Sequence, residues 1–93
     1  MKPFGWSKEK NEKLKRERKI SFEEIVEAIQ QGKKLADTEN RNQKYSNQRV
    51  ITVEVNNYAY LVPYVEDEEK IFFKTIIPSR KATKKYLKVK NSK

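Results

Sequence analysis

The chain has 93 residues, of which 35% are apolar, and its formal net charge is +9. This length fits one compact domain over residues 1–93, and the absence of cysteine and histidine excludes disulfides, thiolate metal sites and a histidine general base. No apolar run reaches the roughly 20 residues of a membrane span and no signal peptide is visible, so we expect a soluble, cytoplasmic protein without a membrane partner.

Two helices are predicted in the N-terminal third. Ser7 is a suitable N-cap for a polar helix from Lys8 to about Arg18. A second helix follows Ser21, because Ser21 and Glu24 match the capping box and Gly32 supplies a stop. The second helix should bury one apolar face, formed by Phe22, Ile25, Ala28 and Ile29.

Three strands are predicted next, after a polar and irregular stretch from Thr38 to Asn47. Residues 51–55 alternate between apolar and polar, Asn56-Asn57 suits a two-residue turn, and residues 58–65 return as the second strand. An acidic turn over residues 66–69 leads to a third strand from Lys70 to Ile77. These patterns predict an α+β fold, with the helices on one face of a small antiparallel sheet.

A short C-terminal helix should begin near Ser79, which is a suitable helix cap, and end near Lys88, before a frayed tail over residues 89–93. The positive charge is concentrated at the two ends of the chain, because residues 1–20 carry +5 and residues 79–93 carry +7. If the two ends meet in the fold they form one surface for a nucleic-acid backbone, and otherwise they form two.

Several cations are candidates for phosphate binding. Arg80 follows the end of the third strand, where a guanidinium could hold a phosphate through two parallel hydrogen bonds. The alternative is a lysine-rich helix with a solvated outer face. The remaining candidates on this part of the chain are Lys74, Lys81, Lys84 and Lys85.

A second group of candidates precedes the first long strand. Here Arg41, Lys44 and Arg49 surround Tyr45, which could stack on an exposed base, although a surface loop is the commoner explanation. Tyr58, Tyr60 and Tyr64 share one strand face, which favours packing or a partner surface. The acidic turn at residues 66–69 is typical of solvated carboxylates, so we expect no metal and no cofactor.

Three short motifs resemble the BrnT toxins of bacterial type II toxin-antitoxin systems. They are FGWS at residues 4–7 with Lys10-Asn11, ISFEE at residues 20–24, and SRKAT at residues 79–83. The resemblance implies a RelE-like fold, a growth-arresting endoribonuclease, and a protein antitoxin that neutralises it and represses the shared operon, so that operator DNA is contacted through the antitoxin.

The chain departs from the family pattern at histidines, since it has Arg18-Lys19-Ile20 and Gln43-Lys44-Tyr45 where relatives often carry one. By position, Arg49 and Arg80 match the basic functional residues of the family, and the strand cation falls at Lys74 or one place later, at Thr75.

The resulting hypothesis is metal-independent RNA cleavage, with or without a ribosome. The ribose 2′-hydroxyl attacks the adjacent phosphate, Arg80 and Arg49 stabilise the negative charge, and Lys74 or Tyr45 assists proton transfer. The alternatives are a nucleic-acid-binding module without catalysis, and an inactive toxin retained as partner and co-repressor of an antitoxin.

Overall fold

The computed structural model describes residues 2–39 and 48–87. Within these ranges three helices and six strands form one α+β unit. Their bounds are β1 Phe4–Gly5, α1 Lys8–Arg18, α2 Phe22–Gln30, β2 Lys34–Glu39, β3 Arg49–Val55, β4 Tyr58–Glu66, β5 Ile71–Phe73, β6 Ile77–Pro78 and α3 Arg80–Tyr86. No helix within these ranges has both the length and the hydrophobicity that a membrane span requires.

The starts of α1 and α2 confirm the predicted caps. The Ser7 hydroxyl accepts from the Lys10 N–H at 3.2 Å, and the Ser21 hydroxyl accepts from the Glu24 N–H at 3.3 Å. The second bond of the capping box differs from the usual pattern, because the Glu24 carboxylate accepts from the Ser21 hydroxyl at 3.2 Å rather than from its backbone. Gly32 ends the α2 region with a φ of 81°, which glycine adopts without strain.

The sheet has the strand order β1-β5-β4-β3-β2, and β6 also pairs with β4. The predicted β3–β4 hairpin is confirmed, and Asn56 and Asn57 form its turn with φ values of 54° and 63°. Two positive φ angles in a two-residue turn match the twist of the flanking strands, and asparagine tolerates them better than most residues.

Two strands were not predicted. Thr38 and Glu39, expected to be irregular, belong to β2, which pairs with β3 at the sheet edge; the rest of that stretch, residues 40–47, lies outside the described residues. The polar residues of β2 gave no strand pattern in the sequence, because an edge strand with one solvent-exposed face need not alternate regularly between apolar and polar residues. The second strand, β1, pairs in parallel with β5, so the sheet is mixed rather than purely antiparallel.

The predicted third strand is divided into β5 and β6. Phe73 pairs with Tyr64 of β4, whereas Ile77 pairs with Leu61, so the segment between them contains one residue more than β4 does. One extra residue exchanges the two faces of a strand. Ile76 is therefore buried together with Phe73, and Ile77, which the predicted continuous strand would place on the same face as Phe73, is 41% exposed.

Helices cover both faces of the sheet: the two N-terminal helices lie on one face, as predicted, and α3 lies on the other. The side of β4 that carries Val62 and Tyr64 packs against α1 and α2, and we call the buried cluster between them the main core. The opposite side carries Ala59 and Leu61, which pack in a smaller cluster with residues of α3. Successive side chains of a strand point to opposite faces, so α3 lies across the sheet from α1 and α2.

Candidate nucleic-acid interface

Hydrogen bonds at its first turn fix α3 to the sheet. The Ser79 hydroxyl accepts from the Ala82 N–H at 3.0 Å, which confirms Ser79 as the N-cap. The Thr83 hydroxyl donates to the Ser79 carbonyl at 2.8 Å and accepts from the Ala59 N–H of β4 at 2.9 Å. Ala82 and Leu87 are buried beneath the helix. The side chains of α3 are thus held at a fixed position over β4.

The outer face of α3 is cationic. Four exposed residues form what we call the α3 cation surface: Arg80, Lys81, Lys84 and Lys85. The helix contains no acidic residue, and Lys85 Nζ lies 5.3 Å from the centroid of the Tyr86 ring. Four cations on two turns of one helix create a positive potential that attracts phosphate.

Lys74 lies on the same side of the sheet as α3. It follows β5, and its backbone N–H donates to the Pro63 carbonyl at 2.8 Å. Its Nζ lies 5.7 Å from the centroid of Phe72, whose side chain alternates with the buried Phe73 and so projects away from the main core. The exposed ammonium of Lys74 therefore adds to the positive potential of this face.

Arg49 is the first residue of β3 and is bound by neighbouring strands. Its Nε donates to Asp37 Oδ1 at 3.1 Å and its Nη2 to the Asp37 carbonyl at 3.1 Å. The hydrogen bond with Asp37 raises the pKa of Arg49, so the guanidinium is cationic at any relevant pH. The Tyr64 hydroxyl also contacts the carboxylate, donating toward its two oxygens at 2.9 and 3.0 Å. We call Asp37, Arg49 and Tyr64 the Arg49 cluster.

The structure does not bring Arg49 and Arg80 together. Arg49 pairs with Tyr64 of β4, while Pro78, two residues before Arg80, pairs with Tyr60. Four residues along a strand span roughly 13 Å. Arg49 also shares the sheet face of its partner Tyr64, which is the face of α1 and α2, whereas Arg80 begins the helix on the other face.

In the described residues the cations of the two basic ends lie mainly on opposite sides of the sheet, although Arg18 Nη1 donates to the Ile76 carbonyl, next to β6, at 2.9 Å. The cations of α1 lie with the main core side of the sheet, and those of α3 lie on the opposite side. The remaining predicted site residues, Arg41, Lys44 and Tyr45, lie outside the described residues. Asp37 and Tyr64 could not be recognised from the sequence as partners of Arg49, because the pairing of β2 with β3 brings together residues that are distant in the chain.

Two further predictions concern the tyrosines of β4 and the acidic turn at residues 66–69. Tyr64 is buried and Tyr60 packs against the main core, which agrees with a packing role for them. In the acidic turn, Asp67 accepts from the Glu69 and Lys70 N–H groups, both at 2.8 Å, and these bonds lower its pKa. Across residues 2–39 and 48–87, no three acidic side chains are arranged to hold a metal ion.

The fold and the cation surface define the class: a small basic α+β protein with the electrostatic properties of a nucleic-acid-binding domain. A family model described as ribonuclease toxin, BrnT, of type II toxin-antitoxin system matches residues 6–85. The chain belongs to this family. Membership implies an antitoxin as its protein partner. Searches of curated proteins and of solved structures gave no significant match.

Proposed function

We propose that this protein is an endoribonuclease toxin that cleaves RNA without a metal ion and so arrests translation and growth. The observation that carries the proposal is the match of residues 6–85 to the family of ribonuclease toxins. The α3 cation surface supports it, since a nuclease must hold a polyanion close to its reactive groups.

In this proposal the α3 cation surface and Lys74 bind the RNA backbone. Each neutralised phosphate releases counterions, so affinity should fall as the salt concentration rises. The aromatic rings beside two of these cations, Phe72 and Tyr86, lie on the same side of the sheet and offer apolar contacts for bases.

The chemistry is transfer of the phosphoryl group within the RNA. The 2′-oxygen forms a bond to phosphorus, the bond to the 5′-oxygen breaks, and the products are a 2′,3′-cyclic phosphate and a 5′-hydroxyl. Lys74 and Tyr45 are the candidates for proton transfer. The 2′-hydroxyl proton goes to whichever of them is in its neutral amine or phenolate form, and the other, as ammonium or phenol, gives a proton to the leaving 5′-oxygen. Arginine charge placed where the phosphorane forms would lower the barrier.

The separation of the two arginines refines this scheme. Because they lie on opposite faces of the sheet, Arg49 and Arg80 contact different phosphates of one RNA strand. We propose that both contacts are needed for cleavage, and that their single alanine variants show which one acts at the reacting phosphate. A contact at that phosphate lowers kcat, whereas a contact elsewhere on the strand mainly raises KM.

The antitoxin is proposed to cover the α3 cation surface with an acidic or amphipathic segment. Such a segment would block RNA sterically and neutralise the positive charge. Repression of the operon would then depend on the antitoxin, which contacts operator DNA. We place the toxin in the cytoplasm, where its RNA substrate is found, either free or on the ribosome.

The test compares induced expression of the wild type, Arg80→Ala and Arg16→Ala in a bacterial host. Arg16 is the matched control, because it is an exposed arginine on α1. Growth arrest with new RNA ends in the wild type and Arg16→Ala, but not in Arg80→Ala, would support the proposal. Circular dichroism must show that Arg80→Ala is folded.

Purified protein tests the mechanism. Cleavage in the presence of a metal chelator, with cyclic phosphate at the new 3′ ends, is the expected result. RNA binding without cleavage would favour the non-catalytic binding module, and full toxicity of folded Arg80→Ala would contradict the role of Arg80.

A further inference from the structure

We propose that Asp37 and Tyr64 are positioning residues that hold the Arg49 guanidinium in one orientation for an RNA phosphate. This inference rests on the proposed role of Arg49 in the nuclease. It assigns a task to two residues that no sequence motif identified.

The first step is the contact between Asp37 and Arg49. Two separate nitrogens of Arg49, Nε and Nη2, donate to two separate groups of Asp37, its carboxylate and its carbonyl. Two such bonds fix both the position and the rotation of a planar guanidinium. These bonds use two of the five N–H donors of the guanidinium, and the others are the donors proposed for a phosphate.

The second step is the contact between Tyr64 and Asp37. Tyr64 is only 3% exposed, and its ring lies in the main core. Packing therefore sets the position of its hydroxyl, which lies 2.9 and 3.0 Å from the two carboxylate oxygens of Asp37. The core orients Tyr64, Tyr64 orients Asp37, and Asp37 orients Arg49.

An ordinary surface ion pair does not account for this arrangement as well. The Arg49 and Asp37 side chains are 42% and 31% exposed, and pairs this accessible to water stabilise a fold little. The exposure does, however, allow a ligand to reach the guanidinium. Orientation of Arg49 for that ligand explains why a buried tyrosine supports an exposed pair.

The experiment measures two quantities in the same set of full-length variants. One is kcat and KM for cleavage of a short RNA. The other is the protection of the Arg49 Nε–H from solvent exchange, observed by NMR with Arg49→Ala used for the assignment. The variants are Asp37→Ala, Asp37→Asn and Tyr64→Phe, with Glu54→Ala as the control, which removes a carboxylate from β3 five residues away from Arg49 and on the opposite face of the sheet.

Asp37→Ala should lose the Nε–H protection and lower kcat/KM by about 10- to 100-fold, since small errors in the position of a catalytic group cost that much. Asp37→Asn keeps an oxygen acceptor for Nε, so it should retain protection and most of the activity. Tyr64→Phe should have an intermediate effect, and Glu54→Ala should match the wild type.

Three results would overturn the inference. Protection of Nε–H in Asp37→Ala would show that Asp37 does not orient Arg49. Normal cleavage by Asp37→Ala, with Arg49→Ala inactive, would show that orientation is unimportant. Equal loss of activity in Asp37→Asn and Asp37→Ala, with Nε–H still protected in Asp37→Asn, would mean that Asp37 itself accepts a proton.

Failure of the proposed function would look different. If the folded wild type cleaves no RNA, the nuclease proposal is wrong and the catalytic part of this inference falls with it. The exchange measurement would then still report whether Asp37 orders the Arg49 side chain.

Discussion

Asn11 of α1 caps the N-terminus of α2 through its contact with Phe22. The Asn11 side-chain oxygen accepts from the Phe22 N–H at 2.8 Å, and its amide nitrogen donates to Glu23 Oε1 at 2.9 Å. The second bond lowers the pKa of Glu23. Asn11 is only 3% exposed, so this contact lies in the interior, where it orders the start of α2.

Asn11→Ala should lower the free energy of unfolding by about 1–3 kcal/mol, because it leaves the buried Phe22 N–H without a partner. Urea unfolding measures the difference. The control is Glu12→Ala on the same helix, which loses only an exposed ion pair with Lys15 at 3.6 Å and should cost well below that amount. Equal losses in the two variants would contradict the capping role.

Phe73 is the central ring of an aromatic stack in the main core. Its ring centroid lies 5.2 Å from that of Phe4, 5.9 Å from that of Phe22 and 6.3 Å from that of Trp6. Phe73→Ala should therefore cost about 3–5 kcal/mol of stability, enough to unfold a marginal domain.

Thermal unfolding followed by tryptophan fluorescence tests the stack, since Trp6 is the only tryptophan. Phe73→Leu provides a milder variant if the alanine variant does not fold. Phe72→Ala is the matched control, as its half-buried ring lies on the other face. A larger loss in Phe72→Ala than in Phe73→Ala would mean that the β5 register is wrong.

Thr83 joins α3 to the sheet, and Thr83→Val removes the hydroxyl while keeping the shape. The Ala59 N–H would lose its acceptor, so we expect a loss of about 1–3 kcal/mol and weaker RNA binding, although no charge is removed. Unfolding and RNA affinity are measured together. Thr75→Val is the control. Unchanged RNA affinity of Thr83→Val would show that RNA binding does not depend on the hydrogen bond that joins α3 to β4.

Tyr64 should make stability depend on alkaline pH. Burial, followed by the hydrogen bond to Asp37, raises its pKa to about 12 from an ordinary value of about 10. The folded protein holds this proton more tightly than the unfolded chain, so the stabilisation is fully present below about pH 10 and disappears as the pH rises to about 12.

Urea unfolding across this pH range, for the wild type and Tyr64→Phe, measures the effect. The wild type should lose stability more steeply above about pH 10, because the variant lacks the titrating group. Parallel curves for the two proteins would show that Tyr64 does not ionise with a raised pKa.

Elements whose ends depend on neighbouring residues could be predicted from the sequence alone. Ser7, Ser21 and Ser79 were predicted as helix caps, and each hydroxyl accepts a backbone N–H three residues ahead. The Asn56-Asn57 turn follows the same principle. In all these cases the decisive hydrogen bond or backbone angle lies within four residues, so a short window of sequence contains its cause.

The way these elements pack together could not be predicted from the sequence. The extra residue between β5 and β6, the position of α3 across the sheet, and the separation of Arg49 from Arg80 all depend on strand pairings between residues distant in the chain. The partners of Arg49 could not be predicted from the sequence for the same reason. Asp37 and Tyr64 come close to Arg49 only because β2, β3 and β4 are neighbours in the sheet. Charge and helix capping depend on residues that are close together in the sequence. Strand register and the face of the sheet that each helix covers depend on the core that the strands and helices bury together.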